Sequence, residues 1–388
     1  MKFAIIGGAG IQALGTIYDL LEQSEVSNIL VADIDEARVI ERVHAIGDER
    51  LEPAWIDITD EENAAEKLAG YDVIINCGPA PYCPAATRVA LKAKKHYVDL
   101  GAWPEQTRAQ LQLHKDFEKA GITGILGMGS APGLSNMMAL VGVNLLDTVR
   151  DIDIIIAMRD YTRHESPFVW PYALDTILDE YTLPPVIVRQ GKITRLAPLI
   201  PEPFDFQEPI GLCYPIYTIH PEPVTLYESF RDKGCRNTSF RIALPRDFHE
   251  KVKFLVDLGF GSKEKISVDG AEVSPRRVLL KLASMLPPEN VEREQYSVTR
   301  VIVTGEKDGQ HTKIVVELYV GTEKRWNLPA GALKTSIPPS ITAQLLSKGL
   351  IEKKGVFPPE LAVPPAPFFK ALARRGMEVT WNQVNHPF

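Results

Sequence analysis

The chain has 388 residues with 43 Lys and Arg against 50 Asp and Glu, a net charge of −7 without long runs of one sign, which excludes a basic nucleic-acid or anionic-membrane surface and leaves room for two or three domains. Four scattered cysteines, Cys77, Cys83, Cys213 and Cys235, have neither zinc-ligand spacing nor disulfide-scaffold density, so no metal is expected and a reduced cytoplasmic setting is. The start MKFAIIGGAGI lacks the parts of a signal peptide, and no apolar stretch approaches the ~20 residues of a membrane span.

Six short apolar segments read as strands: Lys2 to Gly7, Ile29 to Asp33, Glu52 to Ile56, Asp72 to Asn76, His96 to Leu100 and Ile122 to Leu126. Between most of them lie helix-like stretches with polar faces, Ala9 to Gln23, Ala37 to Gly47, Glu61 to Leu68, Cys83 to Lys94 and Pro104 to Ala120. Strands apolar on both faces, alternating with helices, predict an α/β fold with a doubly wound parallel sheet of Rossmann type. After Gly133 the pattern changes. A helix at Leu134 to Leu146 precedes a strand at Asp151 to Arg159 and a long segment rich in Pro, Tyr and Phe from Tyr161 to Tyr227. Further strands are predicted at Pro185 to Arg189, Asn237 to Ala243, Gln295 to Glu306 and Thr312 to Val320, with a helix at Pro275 to Met285. This predicts an α+β substrate domain on a mostly antiparallel sheet. Helices at Ser340 to Lys348 and Ala366 to Arg375 and a short tail end the chain, a stretch expected to pack back on the first domain.

Gly8, Gly10 and Ala13 form GxGxxA between an apolar strand and a helix start. Gly8 permits the tight turn, Gly10 lets the backbone approach a pyrophosphate, and Ala13 allows close packing of helix on sheet. With Ile11 they open the helix whose free N–H groups would hold the phosphates. Asp33, 23 residues beyond Gly10 at the end of the second strand, would accept from both adenosine ribose hydroxyls and repel a 2′-phosphate, so NAD is favoured over NADP. Arg38 reads as part of a solvated helix face. Asp57 and Ile58 follow the third strand and are placed near the adenine. Asn76, Cys77, Gly78 and Pro79 follow the fourth and are placed along the nicotinamide ribose, since ligands lie at the carboxyl ends of such strands. The thiols read as packing.

At this point the chain resembles the saccharopine dehydrogenase family, particularly its lysine-dehydrogenase-like members. The resemblance is carried by the glycine fingerprint, VADID (Val31 to Asp35), VDLG (Val98 to Gly101), GMGSAPGLSN (Gly127 to Asn136), LPPVIVRQGK (Leu183 to Lys192), EKVKFLVDLGF (Glu250 to Phe260), VSPRRVLL (Val273 to Leu280) and ITAQLLSKGLIEKKGVFPPE (Ile341 to Glu360). It implies a dinucleotide domain over residues 1–130, a substrate-binding and dimerisation domain over 131–330, a carboxy-terminal return over 331–388, a homodimer, and chemistry at an amine-bearing carbon. Saccharopine reductases usually carry Asp before the Pro-Gly between the domains. Here Ala131 precedes Pro132 and Gly133, which leans towards lysine 6-dehydrogenase-like members.

Oxidising an amine carbon requires a neutral nitrogen, hence a base or a desolvating pocket, and hydrolysis of the iminium requires a proton acceptor. Asp99, at the carboxyl end of the fifth strand, is the leading acceptor by position, with a loop cap as its alternative. Tyr217, His220 and Glu222 lie together in YTIHPEP. His220 is read as exchanging protons and Glu222 as holding an ammonium, with structural roles as the alternative. For a substrate carboxylate Arg159, Arg163 and Arg241 are candidates, Arg163 foremost because its stretch also offers Trp170 and Tyr172 as pocket walls. The function expected is NAD-dependent oxidation of lysine or a lysine-derived amine. Reductive condensation forming a carboxyalkyl polyamine or opine-like product and a non-catalytic NAD(H)-binding redox sensor are its competitors.

Overall fold

The computed structural model describes all residues except 167, 197–201, 287–290 and 386–388, so parts of the expected aromatic-rich segment 161–227 lie outside the described residues. The amino-terminal elements alternate as β1 (Lys2–Ile6), α1 (Ile11–Leu21), β2 (Asn28–Asp33), α2 (Glu36–Ile46), β3 (Leu51–Trp55), α3 (Glu61–Leu68), β4 (Val73–Asn76), α4 (Cys83–Ala93), β5 (His96–Asp99), α5 (Pro104–Leu111), α6 (His114–Ala120) and β6 (Thr123–Ile125). In β1, Phe3 and Ile5 enter one apolar cluster while Ala4 and Ile6 enter another. That is why these strands read as continuous apolar runs: helices cover both faces of the sheet.

The expected helix from Pro104 to Ala120 is two helices, broken at Gln112 and Leu113. The break brings the His114 ring against Phe357, centroids 4.8 Å apart, where Nδ1 also meets the Val356 carbonyl at 2.9 Å.

Beyond the segment 127–133 the chain forms α7 (Leu134–Asn144), β7 (Thr148–Asp160), α8 (Leu174–Thr182), β8 (Val186–Arg189), β9 (Lys192–Arg195), β10 (Phe204–Asp205), β11 (Leu212–Tyr217), α9 (Glu222–Phe230), β12 (Asn237–Leu244), α10 (Arg246–Asp257), β13 (Ile266–Val268), β14 (Ala271–Val273), α11 (Pro275–Ser284), β15 (Gln295–Lys307) and β16 (Gln310–Gly321). It ends with α12 (Ala330–Ser347), β17 (Gly355–Phe357), α13 (Pro359–Ala362), α14 (Pro365–Ala373) and β18 (Thr380–Asn385).

The first sheet is parallel throughout, in the order β17-β6-β5-β4-β1-β2-β3. The second runs β10-β11-β12-β7-β15-β16-β18, with β8 and β9 at its side. It is antiparallel except where β12 lies parallel to β7. The segment Thr380–Asn385, expected as part of a tail, is a strand: β18 pairs antiparallel with β16 in the second sheet, whereas β17 extends the first. The helix expected from Ser340 starts ten residues earlier, at Ala330, and carries Pro338 and Pro339 inside it.

α12 lies so close to α1 that a Cβ on Gly15 would meet the Ser336 Cβ at 2.6 Å. Thr16 donates to the Ser336 carbonyl across this contact. Asp19 of α1 is wholly buried, ion-paired to Arg375 and accepting from Ser340 at 2.6 Å. No helix among the described residues is long and apolar enough to cross a membrane.

Candidate active site

The turn after β1 is built for a close ligand. Gly7 has φ +75°, and a Cβ there would lie 2.7 Å from the Gly78 nitrogen; a Cβ on Gly8 would lie 2.5 Å from Val31 Cγ1. The two loops therefore abut without side chains between them. Helix α1 follows with Gly10 as its N-cap, no side chain capping it and no acidic residue in its first turn, leaving N–H groups for a phosphate. Ala13 is buried under α1, and Ile11 lies at the exposed lip. Asp33 ends β2 with Oδ2 accepting from the Ala9 N–H at 3.0 Å and Oδ1 from the Asp35 N–H at 3.1 Å. These residues fit a dinucleotide, held through backbone at the pyrophosphate and through Asp33 at the ribose.

Arg38 is exposed on α2, as expected of a solvated helix face. Its Nη2 reaches the Ala9 carbonyl at 3.3 Å, and Arg42, one turn on, donates to the Gly10 carbonyl at 2.6 Å. Burial and the neighbouring Arg38 hold the Arg42 guanidinium below its usual range. The i, i+4 spacing of the two arginines after the second strand was the available signal.

Asp57 turns onto Thr59, accepting from its N–H and hydroxyl at 2.9 and 2.7 Å, which holds the carboxyl below its usual range. Ile58 packs at the edge of the core beneath. The Asn76 side chain faces inward: Oδ1 accepts from the Gly78 N–H at 3.0 Å and Nδ2 donates to the Tyr97 hydroxyl at 3.2 Å. It shapes the loop of Cys77, Gly78 and Pro79 and presents no side chain to the crevice. Burial pushes the Cys77 thiol up to about 12, consistent with packing.

Asp99 is corrected from crevice acceptor to internal tie. Its carboxylate is fully buried. Oδ1 accepts from the N–H groups of Gly101 and Gly127 at 3.0 and 2.6 Å, and Oδ2 from Gln110 Nε2 at 2.6 Å. Burial raises its pKa. The charge joins the loops after β5 and β6, which clasp Pro132: a Cβ on Gly101 would lie 2.5 Å from that ring.

His220 lies between two carboxylates. Nδ1 is 3.1 Å from Glu222 Oε2 and Nε2 is 3.7 Å from Glu180 Oε1. The ring stacks on Phe240 at 3.7 Å and meets the Trp103 edge at 6.4 Å, which brings it beside the loop after β5. Burial disfavours the imidazolium, but Glu222 and Glu180 outweigh it and push His220 up to about 9. Tyr172 donates to Glu180 Oε2 at 2.5 Å, and burial raises the Glu180 carboxyl. Ser135 donates to Glu222 Oε1 at 3.3 Å. Next to it, Asn136 donates to Glu360 Oε2 at 2.9 Å and Ser229 to Glu360 Oε1 at 2.8 Å.

Glu180 was missed because α8 was read as irregular. Leu174, Ile177, Leu178 and Tyr181 have the i, i+3, i+4, i+7 spacing of a helix, which was the available signal. Ser135 and Glu360 lie in the motifs Gly127 to Asn136 and Ile341 to Glu360, whose resemblance to the family was the available signal.

Tyr217 is not part of this cluster. It pairs with Arg241 across β11 and β12, on the face opposite Phe240, where Arg241 is bound to Asp153 and lies over the Tyr217 ring at 5.5 Å. Arg163 is exposed, and Arg159 is engaged with the Ile210 and Leu212 carbonyls at 3.0 Å each. Trp170 packs edge-on against Phe168 at 5.9 Å. Phe168, Pro171, Met158, Asp160, Phe248 and Gly331 line a cavity of about 290 Å³ at the end of the second sheet.

A parallel sheet with a glycine turn, an acidic residue ending β2, and a second sheet that sets a buried polar cluster beside the loop after β5 are the features of an oxidoreductase that binds a nicotinamide dinucleotide. Residues 3–125 match the saccharopine dehydrogenase NADP binding domain and residues 129–377 the saccharopine dehydrogenase C-terminal domain. The chain belongs to the saccharopine dehydrogenase family. It is 25% identical over 349 residues to carboxynorspermidine synthase of Vibrio cholerae, covering 84% of this chain and 82% of that one. Over 126 residues it is 29% identical to alpha-aminoadipic semialdehyde synthase of Arabidopsis thaliana, 32% of this chain and 11% of that one. Its fold is similar to apo saccharopine dehydrogenase (L-Glu forming) of Saccharomyces cerevisiae, with a TM-score of 0.75, 17% identity and 99% of both chains covered.

Proposed function

We propose that the chain is an NAD-dependent oxidoreductase acting at the C–N carbon of lysine or a lysine-derived amine. The buried Glu180, His220, Glu222 cluster beside Trp103 carries this reading. Oxidation leaves positive charge on the substrate nitrogen, and carboxylates held in a low-dielectric site stabilise that charge as it forms. A protonated alkylamine, with pKa near ~10, has no lone pair to release and must lose a proton first. Neutral His220 accepts it, held in place by stacking on Phe240. After releasing that proton to solvent, the same imidazole accepts the proton of the water that attacks the iminium. A dinucleotide held at the β1 turn and Asp33 would supply the hydride acceptor. The preference for NAD rests on Asp33, whose charge opposes a 2′-phosphate.

The Vibrio relatives, matched over 82% of their length or more, favour a second reading in which the reaction runs as a reductive condensation of an amine with an aldehyde. A spectrophotometric screen decides. Reduction of NAD by L-lysine without 2-oxoglutarate supports the first reading. Consumption of NADH or NADPH only when amine and aldehyde are both supplied overturns it in favour of the second. Tight NADH binding with no amine-dependent absorbance change overturns both and leaves a cofactor-binding sensor.

A further inference from the structure

Between β12 and β15 the chain builds a unit from α10, the hairpin of β13 and β14, and α11, and among the described residues its strands join neither large sheet. Arg276 stitches the unit together, its N–H donating to the Ser262 carbonyl at 3.1 Å and its Nε to the Gly261 carbonyl at 2.9 Å. α11 is inside out for a surface helix. The residue it buries is Arg276, which is ion-paired with Asp179 of α8, while Val278, Leu282 and Met285, spaced i, i+4, i+7 along one stripe, are exposed. At the end of α10, Phe254 and Leu258 are exposed one turn apart. In the hairpin Ile266 pairs with Val273 and Val268 with Ala271, so all four lie on one side of a two-stranded ribbon, where Ile266, Val268 and Ala271 are exposed. A lone ribbon of this kind is at best marginally stable in water and needs a surface to pack its apolar side on.

We propose that this unit is the face through which two copies of the chain associate about a twofold axis, the stripe of α11 packing on its counterpart and the free hairpin edges pairing antiparallel. Area supports it. The large apolar side chains of the unit, Leu286 included, are 38–67% exposed. They leave open roughly 800 Å² of apolar surface, the share one partner contributes to an interface of standard size and more than the largest patch of a typical monomer. Charge selects a second copy over a charged partner. The segment from Arg246 to Leu286 mixes eight Lys and Arg with six Asp and Glu, in a chain whose net charge is −7, so two acidic chains meet here with least repulsion. A short antiparallel ribbon with one free edge on each strand is also self-complementary, as a twofold contact requires. The proposed amine chemistry plays no part in this inference.

Sedimentation equilibrium of the full chain at micromolar concentration tests this. The unmodified protein is expected at twice the chain mass. Leu282→Glu with Met285→Glu, both at exposed positions, is expected to weaken association at least a hundredfold while NADH binding, the check on folding, is unchanged. Trp381→Glu, on the exposed strand β18 at the edge of the second sheet, should leave the dimer intact. Hydrogen exchange gives a second readout. The amides of Ile266 to Val273 should exchange slowly in the dimer, at least tenfold faster on dilution, and fast at all concentrations in the Glu variant. A single-chain mass for the unmodified protein, a dimer that survives Leu282→Glu with Met285→Glu, or dissociation by Trp381→Glu instead would overturn the proposal. So would a single-chain mass accompanied by co-sedimentation with phosphatidylserine vesicles, which would assign the face to a bilayer.

Discussion

At the scale of single residues, the proposed chemistry turns on the proton of His220. Glu222 and Glu180 hold it to about 9, so the imidazole is charged at neutral pH and becomes a proton acceptor only above that value. Amine oxidation is therefore expected to rise in kcat/KM as pH approaches about 9, while the reductive direction, which uses the charged ring as a donor, falls through the same range. His220→Gln should remove this limb from both profiles, leaving the titration of the amine itself. Asp99 gives a contrasting expectation. Asp99→Asn can pair with Gln110 once that amide turns over to present Oε1, which is buried without a partner, and should keep its melting temperature and turnover. Asp99→Ala leaves the Gly101 and Gly127 N–H groups without an acceptor, at about 1–3 kcal/mol for each. A total loss of turnover in Asp99→Asn with NADH binding intact would restore Asp99 to the chemistry. Gly8, Gly10, Ala13 and Asp33 could be singled out in the chain because their proposed roles depend on neighbours in sequence. Glu180 and Ser135 meet His220 and Glu222 only when distant segments fold together, and the adjacency of Tyr217 to His220 in sequence misled because the chain places it on the other face of a sheet.

At the scale of elements, the alternation of β1 to β6 with their helices was readable because each strand is apolar on both faces and each helix is polar on one. α8 and the extent of α12 were not, for opposite reasons. α8 is embedded among prolines and aromatics that read as irregular chain. α12 is buried nearly all round from Ala332 to Leu346, so it lacks the polar face that marks a surface helix, and its Pro338 and Pro339 argue against a helix at all. Its packing also explains Gly15 in α1, where an added Cβ meets Ser336 at 2.6 Å. Gly15→Val is expected to force the two helices apart and cost about 1–3 kcal/mol in urea denaturation. Cofactor affinity should fall with it, because α1 also carries the phosphate-binding turn. An unchanged unfolding midpoint would show that the helices can separate freely.

At the scale of the whole molecule, the two ends of the chain depend on one buried ion pair. Asp19 is inaccessible and held by Arg375 and Ser340, so Arg375→Ala strands a carboxylate in the core at a cost of about 3–5 kcal/mol. Asp19→Asn in the Arg375→Ala background should recover much of the loss, and an equal midpoint for single and double variants would contradict a charge-based account. By itself the sequence determined a dinucleotide fold and singled out Asp33 as the proposed ribose-binding acid, since strand periodicity, a glycine turn and one carboxylate are local properties of the chain. Tertiary structure alone decided what surrounds His220, the proposed proton-exchanging group. A histidine acquires its pKa from carboxylates that come from α8 and α9, and from an aromatic ring on β12, positions that only the closure of the second domain brings within hydrogen-bonding reach.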